Sequence, residues 1–419
     1  MVNADTSSVT EQPKEMAETQ VHDDTKTPNV EAASAHNVSV PSEISIEAVS
    51  GAKGRKAFIA VPSAIYADDP NYVAPLEFEI DARLNPKANP TLKNAQHQLW
   101  VAYKNAKPVG RISALINPIH LDWYKDDAGH FGFIEGIDDE AVFRALLTTA
   151  ENWMRERGMK KVVGPLSFSV NEETGLLIDG FDKPPVIMMP HARTWYKTHI
   201  EQCGYEKAMD TYALSYKNER QQIPERRRRF IERALNKPNI KFRQVDFSRF
   251  KEDVRLAIDI FNDAWSENWG YIPFTYEQAD HMASELRPIL EGHNFVIGEH
   301  DGEPVAFAIV LPNINAAIKE FKGKLLPFNW TKLLYRLKVK GIDEARMPLM
   351  GVRKKYQGKP LGTAFAYQLI HLTNEKNIDR GLRWTELSWI LESNVPMLNM
   401  LHDLGGEIYK THRVFEKSL

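Results

Sequence analysis

The chain has 419 residues, 43% of them hydrophobic and 26% charged, with a net charge of −3. That length provides for two or three ordinary domains, and near-neutrality argues against a duplex nucleic acid as partner. A single cysteine, Cys203, excludes a disulfide framework and a cysteine-based zinc site; no metal is expected, and a reducing cytoplasm fits.

Residues 1–42 contain no Phe, Tyr or Trp and hold seven acidic residues against two basic ones. They cannot offset their ordering entropy by apolar burial, so a disordered tail is predicted. No basic leader followed by an apolar run opens the chain, and no apolar run of about 18 residues occurs, so neither a signal peptide nor a spanning helix is expected. From Ile44 the pattern is globular: a strand at Ile44–Val49, a helical stretch near Lys53–Tyr66, and a hairpin of Gln98–Tyr103 with Pro108–Leu115. His130–Ile137 reads as a strand, Asp139–Arg157 as an amphipathic helix, Lys160–Val163 as a buried strand and Pro190–Gln202 as a helical stretch. Arg220–Leu235 reads as a linking helix over 218–238; its Arg226–Arg229 run could touch phosphate, but a solvated face is favoured.

The order then recurs, as strand Phe242–Val245, helices Phe250–Trp265 and Thr275–Leu290, hairpin Asn294–Gly298 with Pro304–Leu311, strand Met347–Val352, helix Leu361–Asn377, strand Trp384–Leu391, helix Asn394–Leu404 and a strand near Glu407–Glu416. Lys104–Leu115 aligns without gaps on His300–Leu311, and His199–Glu206 on Met400–Glu407, so a duplicated α/β unit with a mixed sheet is predicted: 43–217 and 239–419.

Strand Met347–Val352 runs into a basic glycine turn, Arg353-Lys-Lys-Tyr-Gln-Gly-Lys-Pro-Leu-Gly362, and then a helix. Backbone N–H groups at such a helix start, with Arg353, Lys354, Lys355 and Lys359 beside them, make an anion cradle. The stretch resembles the acyl-CoA-binding signature of the GNAT acyltransferase superfamily, with Gln357 in its first place, Gly362 in its last and Pro360 replacing the middle glycine. The resemblance implies a tandem GNAT fold in which Gln357, Gly358, Lys359, Gly362 and Thr363 hold the CoA pyrophosphate. It also implies that backbone groups of Met350, Gly351 and Val352 hold the thioester. Asn394 matches the family's pantetheine-binding asparagine, while Leu401 stands where a tyrosine acid is usual. At the matching place the first half carries Glu135, Asp138, Asp139 and Glu140, which would repel pyrophosphate, so only residues 239–419 are expected to bind acyl-CoA.

Transfer to an amine needs a group to take the ammonium proton. Glu386, within the strand after the turn, and Glu392, just past its end, are the nearest carboxylates; Glu386 shares a face with Ser388 and Ile390 and is a base candidate if that face lines the cleft, with a surface carboxylate as the alternative. The loop 164–191, far longer than packing requires, offers Asn171, Glu172, Glu173 and His191 as catalytic groups or as plain loop caps. Phe261–Phe274 supplies Asn262, Trp265, Asn268, Trp269 and Tyr271, which read either as an acceptor-binding wall or as core. Asn313–Gly341 interleaves seven basic residues and one acidic residue with Leu325, Leu326, Phe328, Trp330, Leu333, Leu334, Tyr335 and Leu337. It reads as a membrane-surface element or as a lid on its own domain.

Tyr66-Ala-Asp-Asp-Pro-Asn-Tyr-Val73, Gly164-Pro-Leu-Ser-Phe-Ser-Val-Asn-Glu-Glu173, Met188-Met-Pro-His191 and Ala264-Trp-Ser-Glu-Asn-Trp-Gly270 resemble a bacterial family of two-repeat GNAT-like proteins that includes ceramide synthases. That resemblance implies N-acylation of a long-chain sphingoid base from acyl-CoA, by a cytoplasmic protein resting on the inner face of the membrane. Acetylation of a small soluble amine or peptide, and a catalytically silent acyl-CoA sensor, are the alternatives.

Overall fold

The computed structural model describes residues 43–219 and 225–419. The predicted tail and the start of the predicted linking helix lie outside the described residues. Residues 43–419 form one compact unit.

Its strands are β1 (Ile44–Ala48), β2 (Gln96–Lys104), β3 (Lys107–Ile116), β4 (Ala128–Gly136), β5 (Lys161–Gly164), β6 (Leu176–Asp179), β7 (Glu206–Lys217), β8 (Ile240–Gln244), β9 (Phe295–His300), β10 (Glu303–Pro312), β11 (Glu344–Val352), β12 (Trp384–Leu391) and β13 (Glu407–Ser418). All 13 belong to one sheet, ordered β1-β2-β3-β4-β5-β13-β7-β12-β11-β10-β9-β8, with β6 also on β13. The two halves mirror each other up to their fifth strands, and there they exchange. β7, from the first half, completes the second by pairing with β12, and β13, from the second half, completes the first by pairing with β5. β7 and β13 then pair with each other, which makes the sheet continuous.

Local chemistry accounts for most elements. Alternation along β10 sends Ala306, Ala308 and Val310 toward helix Pro360–Asp379, and Phe307, Ile309 and Leu311 toward helices Phe250–Trp265 and Tyr276–Leu286. Asp139 caps helix Glu140–Arg155 by accepting from Ala141 N–H (2.9 Å), and Thr275 with Gln278 forms a capping box on helix Tyr276–Leu286.

Several expectations are corrected. Of Pro190–Gln202 only Tyr196–Gln202 is helical, because His191 is held by Asp69 and Arg193 by the Ile65 carbonyl, which keep the chain before Tyr196 out of a helix. Strand β7 has no counterpart among the predicted elements. The solvated face expected of helix Glu225–Leu235 is present at Arg226, Arg228 and Arg229, which are exposed, while Arg227 turns back against Asp403 (2.7 Å) and Tyr367.

Candidate active site

β11 and β12 are parallel partners over four pairs only, from Glu344 with Trp384 to Met347 with Leu387. Beyond these, β11 stays with β10 and β12 stays with β7, and a fork opens between them. A bulge sharpens it: Leu311 pairs with Arg346 but Ile309 with Leu349, so β11 carries one extra residue. Past the bulge, Met350 and Val352 turn their backbone groups into the fork, where their carbonyls accept from Trp265 Nε1 (3.3 Å) and Gln357 Nε2 (2.8 Å). The Met350 N–H, which in a strand points the same way as its own carbonyl, therefore faces the fork as a donor. Gly351 faces β10, where a Cβ would stand 2.8 Å from the Phe307 ring.

The glycine turn closes the mouth of the fork. Gln357 also bonds the Ala264 carbonyl (3.0 Å), tying the turn to helix Phe250–Trp265. Gly358 has φ +68° and is exposed. At Gly362 a Cβ would lie 2.1 Å from the Tyr356 carbonyl, so only glycine lets the helix start close over the turn. Leu361 and Gly362 have no carbonyl one turn behind them to accept from their N–H groups, which leaves these as anion donors. Thr363 stands exposed beside them. Lys354 pairs with Glu267 (2.6 Å) and Lys355 with Glu303 (2.9 Å); exposed pairs of this kind are worth ~1 kcal/mol or less and yield readily to a phosphate. Asn394 accepts from Met397 N–H (3.2 Å) and caps helix Val395–Asp403, and Leu401 is buried core.

At the base of the fork lies a buried polar cluster. Arg346 and Glu386 occupy paired positions on β11 and β12, 3% and 0% exposed, with Arg346 Nε 3.9 Å from Glu386 Oε1. Such a pair is costly unless every group is satisfied. Here Arg346 donates to Ser388 Oγ (2.9 Å) and to the carbonyls of Ile187 (3.0 Å) and Met188 (3.1 Å), while Glu386 accepts from Ser388 Oγ and the Tyr409 hydroxyl. Burial pulls the Arg346 guanidinium down to about 10, which still leaves it charged at neutral pH. Burial, and then the charge of Glu386, push the Tyr409 phenol up, so it remains a donor. Next to it Lys410, drawn by burial to about 8, donates to the carbonyls of Lys183 (2.8 Å) and Pro184 (2.9 Å). The 183–191 segment of the first half is thus strapped across the cluster of the second.

Of the other candidates, His191 joins this region and Glu172, Glu173 and Glu392 are engaged elsewhere. Arg83 holds Glu172 (2.7 Å) and Glu173 (2.8 Å) together, and Glu392 pairs with Lys207 (2.6 Å). Asn171 reaches the Ile272 carbonyl (3.4 Å). Trp265 stands at the fork, edge-on to Trp389 with ring centres 5.7 Å apart. Asn262 bonds Phe274 N–H and carbonyl and the Tyr271 hydroxyl, Tyr271 is buried, and Trp269 packs on Ala128, Val163, Leu166 and Val414; this much of the aromatic segment is core between the halves. Asn268 is half-buried at its bend.

No family model matches the chain. Two relatives are similar over most of their length: Protein YghO of Escherichia coli, 43% identical over 364 residues (87% of this chain and 93% of the relative), and the Bacterial ceramide synthase of Caulobacter vibrioides, 42% identical over 367 residues (87% and 94%). The chain belongs to the bacterial ceramide synthase family. Among solved structures, a tandem GNAT protein from the clavulanic acid biosynthesis pathway superposes with a TM-score of 0.52 at 11% identity, over 90% of this chain and 98% of that one. A glucosamine N-acetyltransferase region of a fungal β-N-acetylglucosaminidase gives 0.52 at 15% identity, over 90% of this chain and 38% of that one. The fold of this family member is therefore the tandem GNAT fold, and the chain is an N-acyltransferase of that type.

In this acyltransferase, sequence reasoning passed over Arg346, Tyr409, Lys410 and His412. The predicted strand began one residue too late to include Arg346. The last strand, Tyr409-Lys-Thr-His-Arg413, is polar on both faces and so gives no local sign of burial, whereas the exchange of β7 and β13 places it in mid-sheet with Lys410 and His412 buried.

Proposed function

We propose that the chain joins a fatty acyl group, carried as its CoA thioester, to the amine of a long-chain sphingoid base. The observation that carries the transfer chemistry is the fork itself: it opens one residue beyond the paired Arg346 and buried Glu386, and the Met350 N–H is directed into it. Pyrophosphate rests on the turn of Gln357, Gly358, Lys359, Gly362 and Thr363, and the pantetheine arm lies in the fork. Glu386 keeps carboxylate lone pairs beyond those used by Ser388 and Tyr409 and takes the ammonium proton. The freed amine attacks the thioester carbon, whose oxygen leans on the Met350 N–H; the C–N bond forms, the C–S bond breaks, and the thiolate leaves to collect the proton.

Residues 239–419 hold the acyl-CoA, and the first half holds none. In the first half the Leu166 carbonyl approaches Gly132 so closely that a Cβ there would be 2.1 Å away, which shuts the equivalent fork between β4 and β5.

A long-chain acceptor is supported by the 313–341 insertion. Its inner side, Ile318 and Phe321, packs on Val73 and Leu76 of the first half, as a lid would. Its outer side leaves Leu326, Phe328 and Val339 70% or more exposed, together with Trp330, Leu334 and Tyr335, among lysines. That combination suits the surface of an anionic bilayer. Among the described residues no helix is long and apolar enough to cross a membrane.

The test is release of CoA thiol from palmitoyl-CoA or acetyl-CoA, with and without sphinganine, with the product mass measured. Sphinganine-dependent release from palmitoyl-CoA with an amide product is expected. Release from acetyl-CoA alone would move the assignment to a small amine, and CoA binding without any release would mark a sensor.

A further inference from the structure

Two indoles span the fork. Trp265, the last residue of helix Phe250–Trp265, donates from Nε1 to the Met350 carbonyl of β11 (3.3 Å), and its ring stands edge-on to Trp389 of β12, centres 5.7 Å apart and planes at 80°. On its other side Trp265 lies along Phe261, at 5.0 Å and 28°. The two fork strands are thus bridged by an aromatic contact where they have ceased to pair with each other. Both rings are half-buried, so the bridge is not sealed inside the core, and an edge-on contact of this kind separates at small cost.

The bridge stands where acyl-CoA has to lie. Met350 turns its N–H and its carbonyl the same way; with the thioester oxygen on the N–H, the indole on the carbonyl of that same residue is the nearest neighbour of the acyl carbon. A carbonyl can accept twice, but the ring bonded here reaches across to β12, so an arm lying in the fork must move it. The exchange is balanced. Indole N–H on Met350 and carboxamide N–H of Gln357 on Val352 (2.8 Å) occupy the two fork-facing carbonyls, and the pantetheine arm brings two amide N–H groups of the same kind. Parted, the rings offer an apolar slot. Trp389 packs with Val186, Met189 and Ala213, and Trp265 with Phe261, whose far side meets Phe274 edge-on.

We propose that Trp265 and Trp389 are the gate for the acyl chain and set the preference for long chains. The pantetheine arm takes the Met350 carbonyl from Trp265, the indoles part, and the hydrocarbon leaving the thioester lies between them. Each methylene that enters the slot is removed from water, whereas an acetyl group ends before it fills the slot and gains little from the opening. The proposal rests on the acyltransferase reading and adds to it the residues that select the acyl chain.

The experiment is isothermal titration of the full-length protein with CoA, acetyl-CoA and octanoyl-CoA, a chain short enough to stay monomeric in solution. Binding does not require an acceptor, so the gate is tested apart from the identity of the amine. Trp265→Phe keeps a ring but removes the competing N–H, and should bind CoA about three- to tenfold more tightly than the native protein. The native protein should prefer octanoyl-CoA to acetyl-CoA by about tenfold or more, and in Trp389→Ala that ratio should fall at least about threefold. Each variant is checked by its melting transition, and Trp389→Leu takes the place of Trp389→Ala if the smaller side chain does not fold. A CoA affinity unchanged or weakened in Trp265→Phe, or an unchanged chain-length ratio at position 389, overturns the proposal. No binding of CoA by the native protein would remove the acyl-CoA site itself, and the gate with it.

Discussion

His191 and Asp69, 122 positions apart, meet at 3.0 Å beneath Tyr66, whose ring centre is 5.5 Å from that of the imidazole. Each comes from a stretch that carries the family resemblance, Tyr66–Val73 and Met188–His191, and the fold brings the two together. Glu386 is buried at the base of the fork, near enough for its charge to act on Lys410. Removing its charge while keeping its shape, as Glu386→Gln, should lower kcat by about 10²–10⁴-fold with CoA affinity retained, because general-base groups contribute on that order. Calorimetric binding of CoA alongside single-turnover rates checks this, and an unaltered kcat would remove Glu386 from the mechanism.

Gly362 and Gly358 should behave differently although both lie in the turn. Gly362→Ala places a methyl 2.1 Å from the Tyr356 carbonyl and must displace the turn, so CoA affinity should fall at least about tenfold. Gly358→Ala meets nothing within 4 Å and carries only the strain of its left-handed backbone, about 1 kcal/mol. Isothermal titration with CoA separates the two; equal losses would mean that the turn is not held by Tyr356.

The outer face of the insertion should be separable from its inner one. Phe328→Ser with Val339→Ser removes exposed apolar surface, and co-sedimentation with vesicles containing anionic lipid should drop several-fold while the melting temperature stays within a few degrees. Phe321→Ser, in the packed inner face, should instead lower the melting temperature, since a buried aromatic lost from a core costs about 3–5 kcal/mol. Vesicle binding indifferent to the outer pair would leave the insertion as a lid.

Two imidazoles should resist protonation. Burial holds His130 and His412 at about 3, against about 6.5 in an unfolded chain. The unfolded state therefore binds more protons between pH 6.5 and 3, so the contribution of these two residues to stability is present above pH 6.5 and is lost as the pH falls through that window. Histidine NMR titration should show two rings neutral down to about pH 4, and denaturant midpoints of His130→Phe should fall less steeply with acid than those of the native protein. All thirteen rings titrating above pH 5 would contradict the burial.

The sequence by itself determined the units: hydrophobic period, capping residues and turn chemistry are local, so helix Phe250–Trp265 and strand Trp384–Leu391 appear where they were expected, and the duplicated hairpins align as two copies. It also marked the basic glycine turn, because a helix start with glycines and lysines is readable without any partner. What only the tertiary structure decided was which half each last strand completes. Lys410 and His412 fall in a strand expected near Glu407–Glu416 whose place in the sheet no local pattern gives, and the meaning of Glu386, Arg346 and His191 depends on β13 lying between β5 and β7. Burial converts those polar residues from solvated groups into a site, and burial is a property of long-range pairing, which no local pattern encodes.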